Sequence, residues 1–88
     1  MSNMTRVEWL SKAEKQLWSI PQHMVKAIIV AVQQLVDWPD CRNVKALVGR
    51  EGYRLRVGRY RVLFTIHEGE VRIIQIEEVR KRDERTYQ

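Results

Sequence analysis

The sequence predicts an α+β domain in which a two-helix hairpin packs on a sheet of about four strands, in the order β-α-α-β-β-β. Three observations carry this reading. The spacing of apolar residues changes from about 3.6 in the first half to 2 in the second. Pro21 divides the helical half in two, because the residue before a proline is pushed out of the helical region. Turn-forming residues at Gly58-Arg59 and Glu68-Gly69 divide the second half into three strands.

Met4 to Trp9 alternates weakly and reads as a short first strand with Val7 and Trp9 on one side. Ser11 reads as the N-cap of the first helix, with Glu14 at capping-box spacing and Ala13, Leu17 and Ile20 on its apolar face. Pro21 suits the first turn of a second helix. Met24, Ala27, Ile28, Ala31, Val32, Leu35 and Val36 then form one stripe that carries this helix to about Trp38. Two successive helices joined at a proline make an antiparallel hairpin, whose apolar faces need a second layer to cover them. In Tyr53 to Val57 the apolar residues take one face and Arg54 and Arg56 the other. After the Gly58-Arg59 turn, Tyr60, Val62, Phe64 and Ile66 continue the inward set while Arg61, Leu63 and Thr65 face outward. Val71 to Val79 is strongly apolar and β-branched, as expected of a central strand covered on both faces. Asp40 to Glu51 is left as the only long connection, and no internal repeat or low-complexity segment interrupts the chain.

Eighty-eight residues suit one domain, residues 1–88, since half that length would not bury a core. Apolar residues at 44% and charged residues at 31% place the chain among globular proteins and away from disordered ones. The longest apolar run, Ala27 to Val32, is too short for a bilayer, and no signal-peptide pattern opens the chain, so a cytoplasmic location without membrane contact is expected. One cysteine, Cys41, and two histidines, His23 and His67, do not make a zinc spacing, and neither a metal nor a cofactor is expected.

Charge is distributed unevenly. Residues 1–41 are neutral overall, whereas residues 42–66 carry Arg42, Lys45, Arg50, Arg54, Arg56, Arg59 and Arg61 against Glu51 alone, a net of +6. Eleven of the sixteen basic residues are arginine, whose planar fork matches phosphate, so a polyanion is the leading partner class. The plainer alternative for Arg54, Arg56 and Arg61 is the solvated face of a hairpin. Adjacent arginines on one face repel one another, however, and a single local carboxylate cannot neutralise them, which favours an external anion.

The string Lys45-Ala46-Leu47, the run Gly52-Tyr53-Arg54-Leu55-Arg56-Val57-Gly58-Arg59-Tyr60-Arg61-Val62-Leu63-Phe64, the strand Ile74 to Val79 and the segment Arg80-Lys81-Arg82-Asp83 together resemble the RelE/ParE superfamily of bacterial toxins. The resemblance covers nearly the whole chain. It implies a RelE-like fold, with the helix hairpin on a twisted, mainly antiparallel sheet, and the toxin role in a type II toxin–antitoxin system. RelE-like members cleave mRNA in the ribosomal A site without a metal ion, and ParE-like members inhibit DNA gyrase. The RelE-like activity, a ribosome-dependent endoribonuclease, is the expectation here, with gyrase inhibition or a non-catalytic domain that binds only antitoxin or RNA as alternatives. By resemblance the catalytic positions are Arg54, Arg56, Arg61, Arg82 and Tyr87, with Lys45, Arg50, Arg59, Arg80 and Lys81 as further phosphate contacts. The implied partners are a cognate antitoxin, the ribosome and mRNA.

Cleaving RNA without a metal requires a base for the 2′-hydroxyl, stabilisation of the phosphorane and a proton for the leaving 5′-oxygen. Arginine, with a pKa above about 12, serves the second need and not the first. The base is left open among Tyr87, Glu77, Glu78, Asp83, Lys81 and a ribosomal group. Tyr53 and Tyr60 read as core aromatics, His67 as a turn residue, Cys41 as incidental, and Trp9, Trp18 and Trp38 as seals at the ends of the core, with a partner groove as the sharper alternative for Trp18.

Overall fold

The computed structural model describes residues 4–81. In chain order these form β1 (Met4–Trp9), α1 (Ser11–Trp18), α2 (Gln22–Gln33), a 3₁₀ turn (Gln34–Asp37), β2 (Val44–Ala46), β3 (Tyr53–Val57), β4 (Tyr60–His67) and β5 (Val71–Lys81). One sheet holds all the strands in the order β1-β5-β4-β3-β2. Its neighbours run antiparallel except β1 and β5, which are parallel. The expected α+β class and element order stand, but the sheet has five strands and not four. The additional strand, β2, lies inside the stretch expected to be a long connection. Three residues are too few to display a period of 2, so the sequence carries no pattern for it. It pairs with β3 in the register Val44 to Leu55, Lys45 to Arg54 and Ala46 to Tyr53.

The helices cover one face of the sheet. α1 lies chiefly against β5 and α2 against β3. Ala13 and Leu17 of α1, Val25, Ile28 and Val32 of α2, and Leu35 meet Leu55, Val62, Phe64, Ile74, Ile76 and Val79 in a single core. The α2 stripe is rotated from the expected one. Val25 is buried where Ala27 was expected, and the tightening into the 3₁₀ turn leaves Val36 exposed while keeping Leu35 inside. An aromatic cluster closes the core at the end nearer the β4–β5 turn, with Trp38 edge-on to Tyr53 at 4.7 Å and Tyr53 stacked on Phe64 at 5.6 Å. Trp9 and Trp38 are partly buried against the core, whereas Trp18 is 64% exposed and seals nothing.

Ser11 is not the cap of α1 but its first residue. Leu10 joins strand to helix directly: its N–H donates to the Ile76 carbonyl at 2.9 Å, and its own carbonyl accepts from Glu14 N–H at 2.9 Å. With β1 ended at Trp9, α1 runs beside the remaining length of β5. The Gln16 side-chain carbonyl accepts the Val79 backbone N–H at 2.8 Å, satisfying a donor on this strand edge.

β5 sits between β1 and β4, but only its helix-side face is fully covered. Ile74, Ile76 and Val79 are buried there, while Ile73, Gln75, Glu77 and Glu78 on the other side are only partly buried. That uncovered face of the sheet is where the candidate site lies.

Candidate functional site

The site begins with an irregularity. β4 pairs with β5 as Leu63 to Glu78 and then Phe64 to Ile76, so Glu77 is an extra residue, a β-bulge. Side chains alternate along a strand, and one inserted residue reverses the alternation beyond it. Gln75, opposite Thr65, lies on the open face; without the bulge Val79 would share that face and Arg80 would turn toward the helices. With it, Val79 enters the core and Glu78 and Arg80 reach the open face.

Cross-strand partners share a face, so the register fixes the layout. One row runs Arg56, Arg61, Arg80 across β3, β4 and β5. The next runs Lys45, Arg54, Leu63, Glu78 across β2 to β5. Directly opposed side chains have Cβ atoms about 4.5–5.5 Å apart, which sets like charges against each other at Arg56–Arg61 and at Arg61–Arg80. Leu63, 5% exposed, is buried on this face and stands outside the main core. Lys and arginine stems cover such a residue while their charged heads stay in water. The row is anchored at the β3 end by the Arg56 backbone N–H, which donates to the Asn43 carbonyl at 2.9 Å, with Asn43 in the left-handed region at φ 62°. A cleft of about 160 Å3 opens there, lined by Asn43, Val44, Lys45, Arg54 and Arg56.

Among the described residues, Lys45, Arg54, Arg56 and Arg61 have no carboxylate within ion-pair distance. Arg80 alone in the row is paired, its Nε donating to Glu78 Oε1 at 2.9 Å, and Lys12 of α1 lies 3.6 Å from the same oxygen. Partial burial pushes the Glu78 carboxyl up, but the hydrogen bond and charge of Arg80 together with Lys12 outweigh it. The net direction is downward, so the group is an ionised carboxylate and a poor proton acceptor.

The other basic positions separate from the rows. Arg50, in the β2–β3 loop, pairs with Glu77 at 3.6 Å, so its charge is already met. Arg59 is exposed in the β3–β4 turn. Lys81 opposes Tyr60 and therefore takes the helix-side face, opposite to the arginines. Arg82, Asp83 and Tyr87 lie outside the described residues. Thr65 donates to Glu77 Oε2 at 3.1 Å and, having a single proton, accepts from His67 Nε2 at 3.0 Å. His67 and Glu77 are thus tied into a hydrogen-bonded chain toward the β4–β5 turn. Burial, with Asp37 and Asp40 nearby, pushes the Cys41 thiol up, which makes it a weak nucleophile.

Glu78 in its pairing role and the bulge that presents it were not read from the sequence. The available signal is the core spacing Ile74, Ile76, Val79, in which two intervals of 2 and 3 replace a strict alternation.

A family model for the ParE toxin of the type II toxin–antitoxin system parDE matches residues 7–86. The chain belongs to this toxin family. No curated protein matches it at a significant level. Among solved structures it is similar to the toxin–antitoxin complex RelBE2 from Mycobacterium tuberculosis, at 24% identity and a TM-score of 0.75, covering 88% of this chain and 96% of that one. It is similar to the archaeal RelE–RelB complex from Pyrococcus horikoshii, at 23% identity and a TM-score of 0.72, over 96% and 99% of the two chains. A mutant of the Escherichia coli toxin RelE in the free state matches at 14% identity and a TM-score of 0.70, over 98% and 88%. At these identities the likeness is one of fold. Membership of the toxin family rests on the family model, and in this chain the arginine rows lie on the open face of the sheet.

Proposed function

We propose that this toxin is a ribosome-dependent endoribonuclease that cuts mRNA and so blocks translation. The observation that carries the reading is the row Arg56, Arg61, Arg80, with Lys45 and Arg54 beside it, whose charges are largely unmet by carboxylates of the described chain. Such a row supplies donors to a phosphate and to the charge that grows on it as the 2′-oxygen attacks. Arg56 and Arg61 hold the scissile phosphate, and Arg54 and Arg80 flank it. The arginines do not take the proton; Tyr87 is the proposed partner for proton transfer or base stacking, and Arg82 a further phosphate ligand. A cytoplasmic location follows from the ribosomal target. Two of the similar structures pair RelE-type toxins with antitoxins, which supports a cognate antitoxin here. An acidic segment would complement the +6 region and speed its capture.

Gyrase inhibition is the second reading, favoured by the ParE identity of the matching family model. Induction in growing cells, with protein synthesis, DNA synthesis and mRNA ends measured together, separates the two. Loss of translation with new mRNA ends is the expected result. DNA breaks with intact mRNA would select the second reading.

A further inference from the structure

An ionised carboxylate set among cations is out of place on a surface meant for a polyanion, yet Glu78 is brought to the open face by the bulge and is only 14% exposed. It sits in the row next to Arg61 and Arg80 and accepts from Arg80 through Nε at 2.9 Å. A guanidinium offers two edges. The Nε contact occupies one edge, and among the described residues no hydrogen bond or ion pair engages the two terminal nitrogens of Arg80. These are the nitrogens that grip a phosphate in the two-point manner.

The carboxylate is itself held to the scaffold. Lys12 reaches it from α1 at 3.6 Å, and α1 is fastened to β5 one residue further on by the Gln16 bond to Val79. Arg80 is otherwise a long exposed side chain whose ordering would cost entropy each time a ligand bound. Fixing it beforehand removes part of that cost.

We propose that Glu78 is a positioning residue for the phosphate site, holding Arg80 by Nε so that both terminal nitrogens stay available beside Arg61 and Arg56. The inference rests on the reading of this face as an RNA phosphate site. It makes a prediction opposite in sign to simple electrostatics, since removing a negative charge from a basic face should tighten a polyanion.

The test is the affinity of the full chain for a short single-stranded RNA at fixed low salt, with Arg80 Nε–H followed by nitrogen-detected NMR. Arg80→Ala should weaken binding about tenfold or more, as expected for loss of a charged hydrogen bond. Glu78→Ala should also weaken it severalfold although net positive charge rises, and Glu78→Gln, which keeps an acceptor oxygen, should recover part of the loss. In an Arg80→Ala background, Glu78→Ala should bring no further weakening, because the two act as one unit. The Arg80 Nε–H signal should be sharp and shifted downfield in the unmodified chain and lose both properties in Glu78→Ala. Equal or tighter binding by Glu78→Ala, or an Nε–H signal indifferent to it, would overturn the positioning role while leaving the arginine site intact. If Arg56→Ala and Arg61→Ala bind RNA as well as the unmodified chain, the phosphate site falls and the inference with it. A variant that fails to fold is replaced by Glu78→Gln, whose shape is conserved and for which weaker binding with an unchanged melting temperature remains the expected result.

Discussion

The two ends of the open sheet face are built from the same alternating pattern and come to opposite electrostatic states. Toward the β3–β4 turn, Lys45, Arg54, Arg56 and Arg61 present cations without carboxylate partners among the described residues. Toward the β4–β5 turn, Arg50 meets Glu77 and Thr65 links Glu77 to His67. A satisfied network gains little from a ligand, because its donors are already spent. An unsatisfied row of donors is destabilised by its own repulsion and gains from an anion. The bulge at Glu77 lies between the two ends: Glu77 joins the closed network while Glu78 and Arg80 turn into the open one.

Substitutions that cross this boundary should behave differently on its two sides. The largest effect is expected for Arg61→Ala, at the centre of the row, where loss of one preorganised donor should lower the cleavage rate by about 10²–10³-fold and relieve growth arrest. Arg50→Ala should retain most of the activity. Next in size is Gly52→Ala in the loop at the closed end. Its backbone has φ 121°, and an added Cβ would stand 3.0 Å from the Phe64 carbonyl oxygen, so a loss of about 1–3 kcal/mol in stability is expected by urea unfolding, with RNA affinity of the folded protein unchanged.

A smaller effect tests the repulsion itself. Arg56→Gln should raise unfolding free energy by roughly 0.2–1 kcal/mol while weakening RNA binding, a gain in stability set against a loss of function. The smallest concerns pH. Because the Glu78 carboxyl lies below its ordinary value when folded, its contribution to stability is complete above the ordinary carboxylate range. It is lost as the pH falls through that range toward the lower folded value. Acid unfolding of Glu78→Gln should therefore lack this component and follow a shallower slope.

The sequence made legible what depends on long periodicity. α1 and α2, the β3–β4 hairpin and the start of β5 fall where the apolar spacing changes from 3.6 to 2, and the outward positions of Arg54, Arg56 and Arg61 follow from alternation alone. Short or broken patterns were not legible. β2 is three residues long and is held by pairing, with little inward side chain to mark it. The α2 stripe can be drawn through Ala27 or Val25, and only burial in the assembled core selects Val25. Strict alternation carried past Ile76 would send Arg80 to the wrong face, so the third member of the row depends on a bulge that appears in the sequence only as an extra residue between Ile76 and Val79. Lys81 shows the same dependence, since its place opposite Tyr60 turns it away from the neighbouring cation at Arg80.

The effects expected of these substitutions follow from the proposal that the arginine row, and not basic charge in general, contacts RNA phosphate. It is tested most directly by the salt dependence of single-stranded RNA binding in the unmodified chain, Arg61→Ala and Arg50→Ala. Each phosphate contact on a single strand contributes about 0.7 to the slope of log affinity against log salt. The slope should become shallower by about 0.7 in Arg61→Ala and stay unchanged in Arg50→Ala, whose guanidinium is bound to Glu77. Equal changes in the two variants, or a flat response in the unmodified chain, would rule out the arginine row as the phosphate contact.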